Sequence, residues 1–90
     1  MAPDPRSFVC VQWDDAEDSF KAWMDEEDVA AFSTHTCTVV SVGYLISRTD
    51  KYVTLGGDWI EELHHWGRVT KIPVSMVVRI VTLVEGEPLS

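Results

Sequence analysis

Residues 36–48 alternate with period two: Val40, Val42, Tyr44 and Ile46 fall on one face, while Ser41, Gly43 and Ser47 fall on the other. Alternation sustained over this length marks a β-strand, because successive side chains leave a strand on opposite sides. Gly43 within it leaves room for a bend or a close neighbour. Arg48-Thr49-Asp50-Lys51 is a polar turn and residues 52–55 resume an apolar strand, so the two segments form a hairpin. A chain built around such a hairpin is committed to a sheet, and its other segments are read as further strands or as cover.

Residues 7–13 (Ser-Phe-Val-Cys-Val-Gln-Trp) are rich in aromatic and β-branched side chains and read as a first strand. Asp14 or Asp15 then offers an N-cap, and Ala16, Phe20, Trp23 and Met24 recur at helical spacing, which predicts an amphipathic helix over residues 15–26. Further on, Gly56-Gly57 ends the hairpin strand, Asp58 is a candidate cap with Glu61 three residues later, and Gly67 is a candidate stop. Trp59, Leu63 and Trp66 lie at i, i+4 and i+7, so a short second helix is favoured over a strand for residues 59–66. Residues 68–72 read as a strand, 73–75 as a tight turn and 76–84 as the last strand. That strand is apolar on both faces except at Arg79 and Thr82, so it calls for cover on both sides, from the helix or from another subunit.

The order of elements predicts an α+β domain: a small five-stranded, bent antiparallel sheet or SH3-like barrel, with one N-terminal amphipathic helix and a short second helix. Closing the sheet removes edge strands from a chain with several apolar ones. Residues 1–6, with two prolines and no apolar anchor, read as a flexible arm, residues 7–85 as a single domain and 86–90 as a tail.

An apolar share of 46% with four Trp is that of a folding chain, yet 90 residues bury a modest core and gain from self-association, so a homo-oligomer is expected. No apolar stretch approaches the ~20 residues that cross a bilayer, and the first residues lack a secretory signal, which makes the cytoplasm the expected compartment. In a reducing compartment Cys10 and Cys37 are expected as free thiols. The formal charge of -8 is unevenly distributed: residues 14–28 hold eight acids and one base, Lys21, while the rest of the chain is nearly balanced. That balance disfavours binding to duplex nucleic acid through charge alone.

No motif carries a reaction. His35, Cys37, His64 and His65 match no zinc spacing, and no nucleophile, base and orienting group assemble from the order of residues. The acids between Asp14 and Asp28 lack the spaced oxygens and central glycine of a calcium loop. No enzyme, metal or cofactor is expected. Two surfaces of opposite character are left. One joins bases to aromatic rings: Arg48, Lys51, Tyr52, His64, His65, Trp66, Arg68 and Lys71, the composition of a pocket that stacks a nucleobase and neutralises phosphate. The other is acidic, with Asp18, Asp25, Glu26, Glu27 and Asp28 set to meet a basic protein groove; the plainer reading is a solvated helix face.

Val9 to Trp13 followed by acids, Ser41-Val42-Gly43-Tyr44-Leu45-Ile46, Lys51-Tyr52-Val53-Thr54-Leu55 and a closing Ile72-Pro73 with Met76, Ile80 and Leu83 resemble small accessory proteins of tailed bacteriophages. The resemblance implies a non-essential phage protein that interferes with host enzymes or host defence, and it supplies no catalytic motif. The Asp58 to Trp66 segment departs from that pattern. The first expectation is therefore a counter-defence protein that sequesters a small anionic ligand, such as a cyclic nucleotide signal, at subunit contacts. The second is a protein-protein inhibitor that docks its acidic helix on a host defence protein.

Overall fold

The computed structural model describes residues 7–89, so the expected arm, residues 1–6, lies outside the described residues. The chain runs β1 (Phe8–Asp15), α1 (Glu26–Thr34), β2 (Cys37–Arg48), β3 (Tyr52–Ile60), β4 (His65–Pro73), a 3-10 turn (Val74–Met76) and β5 (Val77–Leu83). All five strands join one antiparallel sheet in the order β4-β3-β2-β1-β5. The architecture is thus α+β, with one helix.

The long strand β2 organises the sheet. Residues 37–44 pair with β1 and residues 44–48 with β3, so Tyr44 stands opposite both Phe8 and Gly56. A register shift between Leu45 and Ser47 inserts one extra residue, which bends a strand and increases its twist. Beyond it Arg48 sits opposite Val53, on the inner side. Gly43 is required at the crossing from one partner to the other, because a Cβ there would lie 2.8 Å from the Gly56 carbonyl oxygen.

The core consists of Val9 and Val11 from β1, Val53 and Leu55 from β3, and Ile72 from β4, with Trp13, Leu45, Val77 and Ile80 packed around them. Strands β1 and β3 are not neighbours, and β4 is three places from β1. Their side chains share one core only because the sheet curls and folds its inner face upon itself. The indole Nε1 of Trp13 donates to Ser41 Oγ at 3.0 Å, which satisfies a polar group at the margin of this core.

Several sequence expectations are corrected. The helix predicted over residues 15–26 is absent: β1 continues through Asp15, residues 16–25 are irregular, and the helix begins at Glu26. Two capping signals compete in this stretch, and the second one holds. Asp25 accepts a bond from the Asp28 N–H at 2.7 Å, and three acids fill the first turn. Asp14, by contrast, accepts from Thr38 Oγ1 across the β1–β2 ladder at 3.2 Å.

The second helix is also absent. Residues 61–64 form a turn, and Trp59 stands directly opposite Trp66 in a hairpin, with ring centroids 5.0 Å apart. A spacing of seven residues fits one helical face, but it equally fits two strand residues facing each other across a turn, and the aromatic pair favours the second. Gly56 and Gly57 lie inside β3 rather than ending it.

The apolar alternation of β2 is real but points outward. Val40 and Val42 are exposed, while Val39, Ser41 and Gly43 face the inside. The last strand likewise takes no substantial cover from α1, which has no buried residue.

Truncation of Ile72 to Ala should cost about 2–5 kcal/mol in urea denaturation, as for other fully buried aliphatic side chains. Gly56→Ala should cost about 1–3 kcal/mol, because its methyl group would overlap the Trp66 ring, and should shift the tryptophan emission as that ring moves.

Candidate functional site

The eight residues expected to line one anionic pocket fall at two ends of the β3–β4 hairpin. Tyr52 pairs with Pro73 at one end and Ile60 with His65 at the other. Eight residues of strand separate the ends by roughly 26 Å at ~3.3 Å per residue. At the first end Lys71 Nζ stands 4.6 Å from the centroid of the Tyr52 ring, with Lys51 in the adjoining turn. Among the described residues, the side chains of Arg48, Lys51 and Lys71 form no ion pair. Arg48, on the inner side, lines a shallow cleft at the mouth of the curl together with Ser7, Val9, Leu45, Arg79 and Ile80.

His64, His65 and Trp66 occupy the far end. Arg68 lies between the two groups and is committed elsewhere: its Nε donates to Asp58 Oδ2 at 2.7 Å and its Nη2 to Asp58 Oδ1 at 3.0 Å. This fork holds Arg68 at φ 49°, a left-handed backbone that non-glycine residues rarely adopt. Trp66, two residues earlier, then lies over Gly56 on the outer face.

At this far end a row of rings emerges that the sequence reading missed. Phe8 meets Tyr44 at 5.1 Å, Tyr44 meets Trp66 at 5.7 Å, Trp66 meets Trp59 at 5.0 Å and Trp59 meets His64 at 5.6 Å. The rings are inclined to one another by 41° to 71°, edge to face at Phe8–Tyr44 and tilted in the other three pairs, so they do not form a flat stacking platform. Trp59 Nε1 donates to Glu61 Oε2 at 2.8 Å, and Asp58, Glu61 and Glu62 give this end an acidic rim. Such a rim repels an anionic ligand. The signal for the row was the pairing of Trp59 with Trp66, hidden by their helix-compatible spacing.

The acidic segment is brought together as an arm standing off the sheet. Asp18 lies in its irregular part, Asp25 caps α1, and Glu26, Glu27 and Asp28 form the first helical turn. Lys21 Nζ lies 3.1 Å from Asp28 Oδ2, and His35 Nδ1 lies 2.9 Å from Glu17 Oε2, so the irregular part is tied to both ends of the helix. Phe20 and Trp23 project from this arm; Trp23 is 91% exposed and Phe20 fully so. The molecule extends 56 Å along its longest axis with a radius of gyration of 17.5 Å, against ~12 Å for a compact domain of this length.

Among the described residues no three His, Cys, Asp or Glu side chains converge as metal ligands, and no helix is long and apolar enough to cross a membrane. No protein-family model, curated protein or solved structure matches the chain.

The Asp58–Arg68 fork has a pH signature. Hydrogen bonding from Arg68 holds the Asp58 carboxyl below its ordinary range, so the unfolded chain takes up this proton more readily than the folded one. Its contribution is present above the ordinary carboxylate range and is lost as pH falls through the lowered native value. The melting-temperature advantage of wild type over Asp58→Asn should therefore be level near neutrality and shrink on acidification. Arg68→Gly should melt above Arg68→Ala, because both lose the fork but only glycine relieves the positive φ.

Proposed function

We propose that this chain is a non-enzymatic binding protein that docks its acidic, aromatic arm on a basic surface of another protein. The observation that carries the reading is the exposure of Phe20 and Trp23 on a braced segment that also bears Asp18, Asp25, Glu26, Glu27 and Asp28. Tryptophan anchors dominate the energetics of protein interfaces, while surrounding charge steers encounter and sets register. A nine-residue helix with no buried side chain is marginal by itself in water, and it gains cover when the arm seats on a partner.

The resemblance to phage accessory proteins makes a host protein, such as a defence component in the bacterial cytoplasm, the natural partner. The curl of the sheet, its strand order and the 3-10 turn before β5 support an SH3-like barrel as the scaffold from which the arm projects. Asp25→Lys, Glu26→Lys and Glu27→Lys together should abolish capture of the partner from host lysate, and Trp23→Ala should weaken it about tenfold or more. Both variants should keep the melting temperature of the sheet to within a few degrees, because Trp23 is 91% exposed and α1 has no buried residue. Capture unchanged in both, with rising salt having no effect, would return the arm to the role of a solvated surface.

A second reading places a small anionic ligand, such as a cyclic nucleotide, at Lys51, Tyr52 and Lys71; Arg48, opposite the buried Val53, faces the other side of the sheet. The cation held over the Tyr52 ring, with Lys51 in the adjoining turn and neither base in an ion pair among the described residues, favours it. His64, His65 and Trp66 have no part in that smaller site. Titration with a fluorescent cyclic nucleotide should then saturate with wild type and lose about tenfold in affinity with Lys71→Ala. No binding by wild type removes this reading and leaves arm docking standing.

A further inference from the structure

Strand β5 has one neighbour. It stands at the end of the sheet beside β1, so the backbone groups on its other side meet no strand among the described residues. The ladders identify these groups. The Leu45 N–H donates to the Ser7 carbonyl at 2.8 Å, so Ser7 turns its backbone groups towards β2, and alternation turns those of Phe8, Cys10 and Gln12 towards β5. Leu83, Val81 and Arg79, which stand opposite them, spend their own groups on β1. The N–H and C=O of Ile80 and Thr82 are therefore directed at the free edge. The opposite edge of the sheet, β4, is blunted, because Arg68 is left-handed in its middle and Pro73 closes it. Strand β5 carries no proline, glycine or acid.

The same edge borders the cleft at the mouth of the curl. About 490 Å³ lies there against β5, lined by Ile80 and Thr82, by Val9 and Leu45 of the core and its margin, and by Arg48 and Arg79. Arg79 reaches it from beside the register shift between Gln12 and Trp13. Among the described residues neither guanidinium is in an ion pair, and no acidic side chain lines the cleft. Two arginines thus share an opening without a counter-charge in a chain whose net charge is -8.

We propose that this edge and cleft bind an extended acidic segment of a partner protein, which adds to β5 as a further strand. Two features select that occupant. Ile80 and Thr82 are two residues apart, the repeat at which an added strand exchanges backbone hydrogen bonds, so the edge calls for a peptide chain and not a small anion. Arg48 and Arg79 then choose among peptides, since a carboxylate meets guanidinium donors there and a basic side chain is repelled. Alternate side chains of the added strand enter the cleft, where apolar ones meet Val9 and Leu45 and an acidic one meets Arg48. A second copy pairing β5 with β5 would bring another Arg79 and no acid, so it suits the cleft poorly. The site uses neither the arm nor Lys51, Tyr52 and Lys71.

An amide-resolved NMR titration with the acetylated peptide Val-Glu-Val-Glu-Val-Glu-Val tests the proposal. The amides of Ile80 and Thr82 should shift on addition, and at saturation they should exchange with deuterium about fivefold or more slowly. The peptide with lysine in place of each glutamate should bind about tenfold or more weakly. Methylating the peptide's N–H groups at alternate residues should weaken binding about tenfold in the pattern that faces β5 and leave it unchanged in the other, a comparison that depends on no variant of the protein. Arg48→Gln should lower the affinity about threefold or more while keeping its circular dichroism, since Arg48 is exposed. Silent amides at Ile80 and Thr82 would overturn the proposal, as would a lysine peptide that binds equally well or methylation without effect in both patterns. Protection of those two amides that rises with protein concentration before any peptide is added would overturn it too, by giving the edge to a second copy. Partner capture through the arm is read separately, so either inference can fail without the other.

Discussion

The curl of the sheet about β2 is the constraint on which everything else depends. Val9 and Val11 reach Val53, Leu55 and Ile72 only because the extra residue near Ile46 bends β2 as it passes from one partner to the other. Glycine at positions 43 and 56 allows the close approach on each side of that bend: the first lies against a carbonyl oxygen and the second under an indole ring. Curling concentrates a few aliphatic side chains into a dry interior. It also sets a limit, because a sheet that buries one face upon itself presents the other face to whatever surrounds it.

That outward face explains why so many large apolar side chains are exposed. Val40, Val42 and Leu83 are not failures of packing; they continue the alternation that puts Val9, Val11 and Leu55 inside. The aromatic row across Phe8, Tyr44, Trp66 and Trp59 shields part of this face by interlocking its own rings, and the Asp58–Arg68 fork holds the backbone turn that lets Trp66 join it. Interlocked rings on neighbouring strands contribute about 0.5–1.5 kcal/mol per pair beyond the area they bury, so the row also stiffens the β3–β4 hairpin.

Much of the sheet was legible in the sequence, and its departures have physical causes. The hairpin at residues 48–52 and the strands around it follow from period-two alternation and a polar turn, signals that are local and that tertiary contacts have no reason to override. The two helix misreadings came from ambiguous local signals. Residues 14–18 and 25–28 both carry acids suited to a helix start, and only pairing of Asp14 and Asp15 with β2 decides between them. Trp59 and Trp66 satisfy helical and hairpin geometry alike, and the choice rests on ring contacts with Tyr44, a residue of a different strand. The candidate ligand set was legible in composition but not in place: the length of a nine-residue strand separates bases that look close in the chain.

The two exposed regions therefore differ in charge: residues 14–28 hold eight of the chain's fifteen acids, whereas the outer face of β5, β1 and β2 has almost none. The arm combines steering acids with aromatic anchors, a composition suited to a partner of opposite charge whose encounter must be fast and whose register must be set. The outer face of β5, β1 and β2 has almost no charge, so it gains nothing from steering.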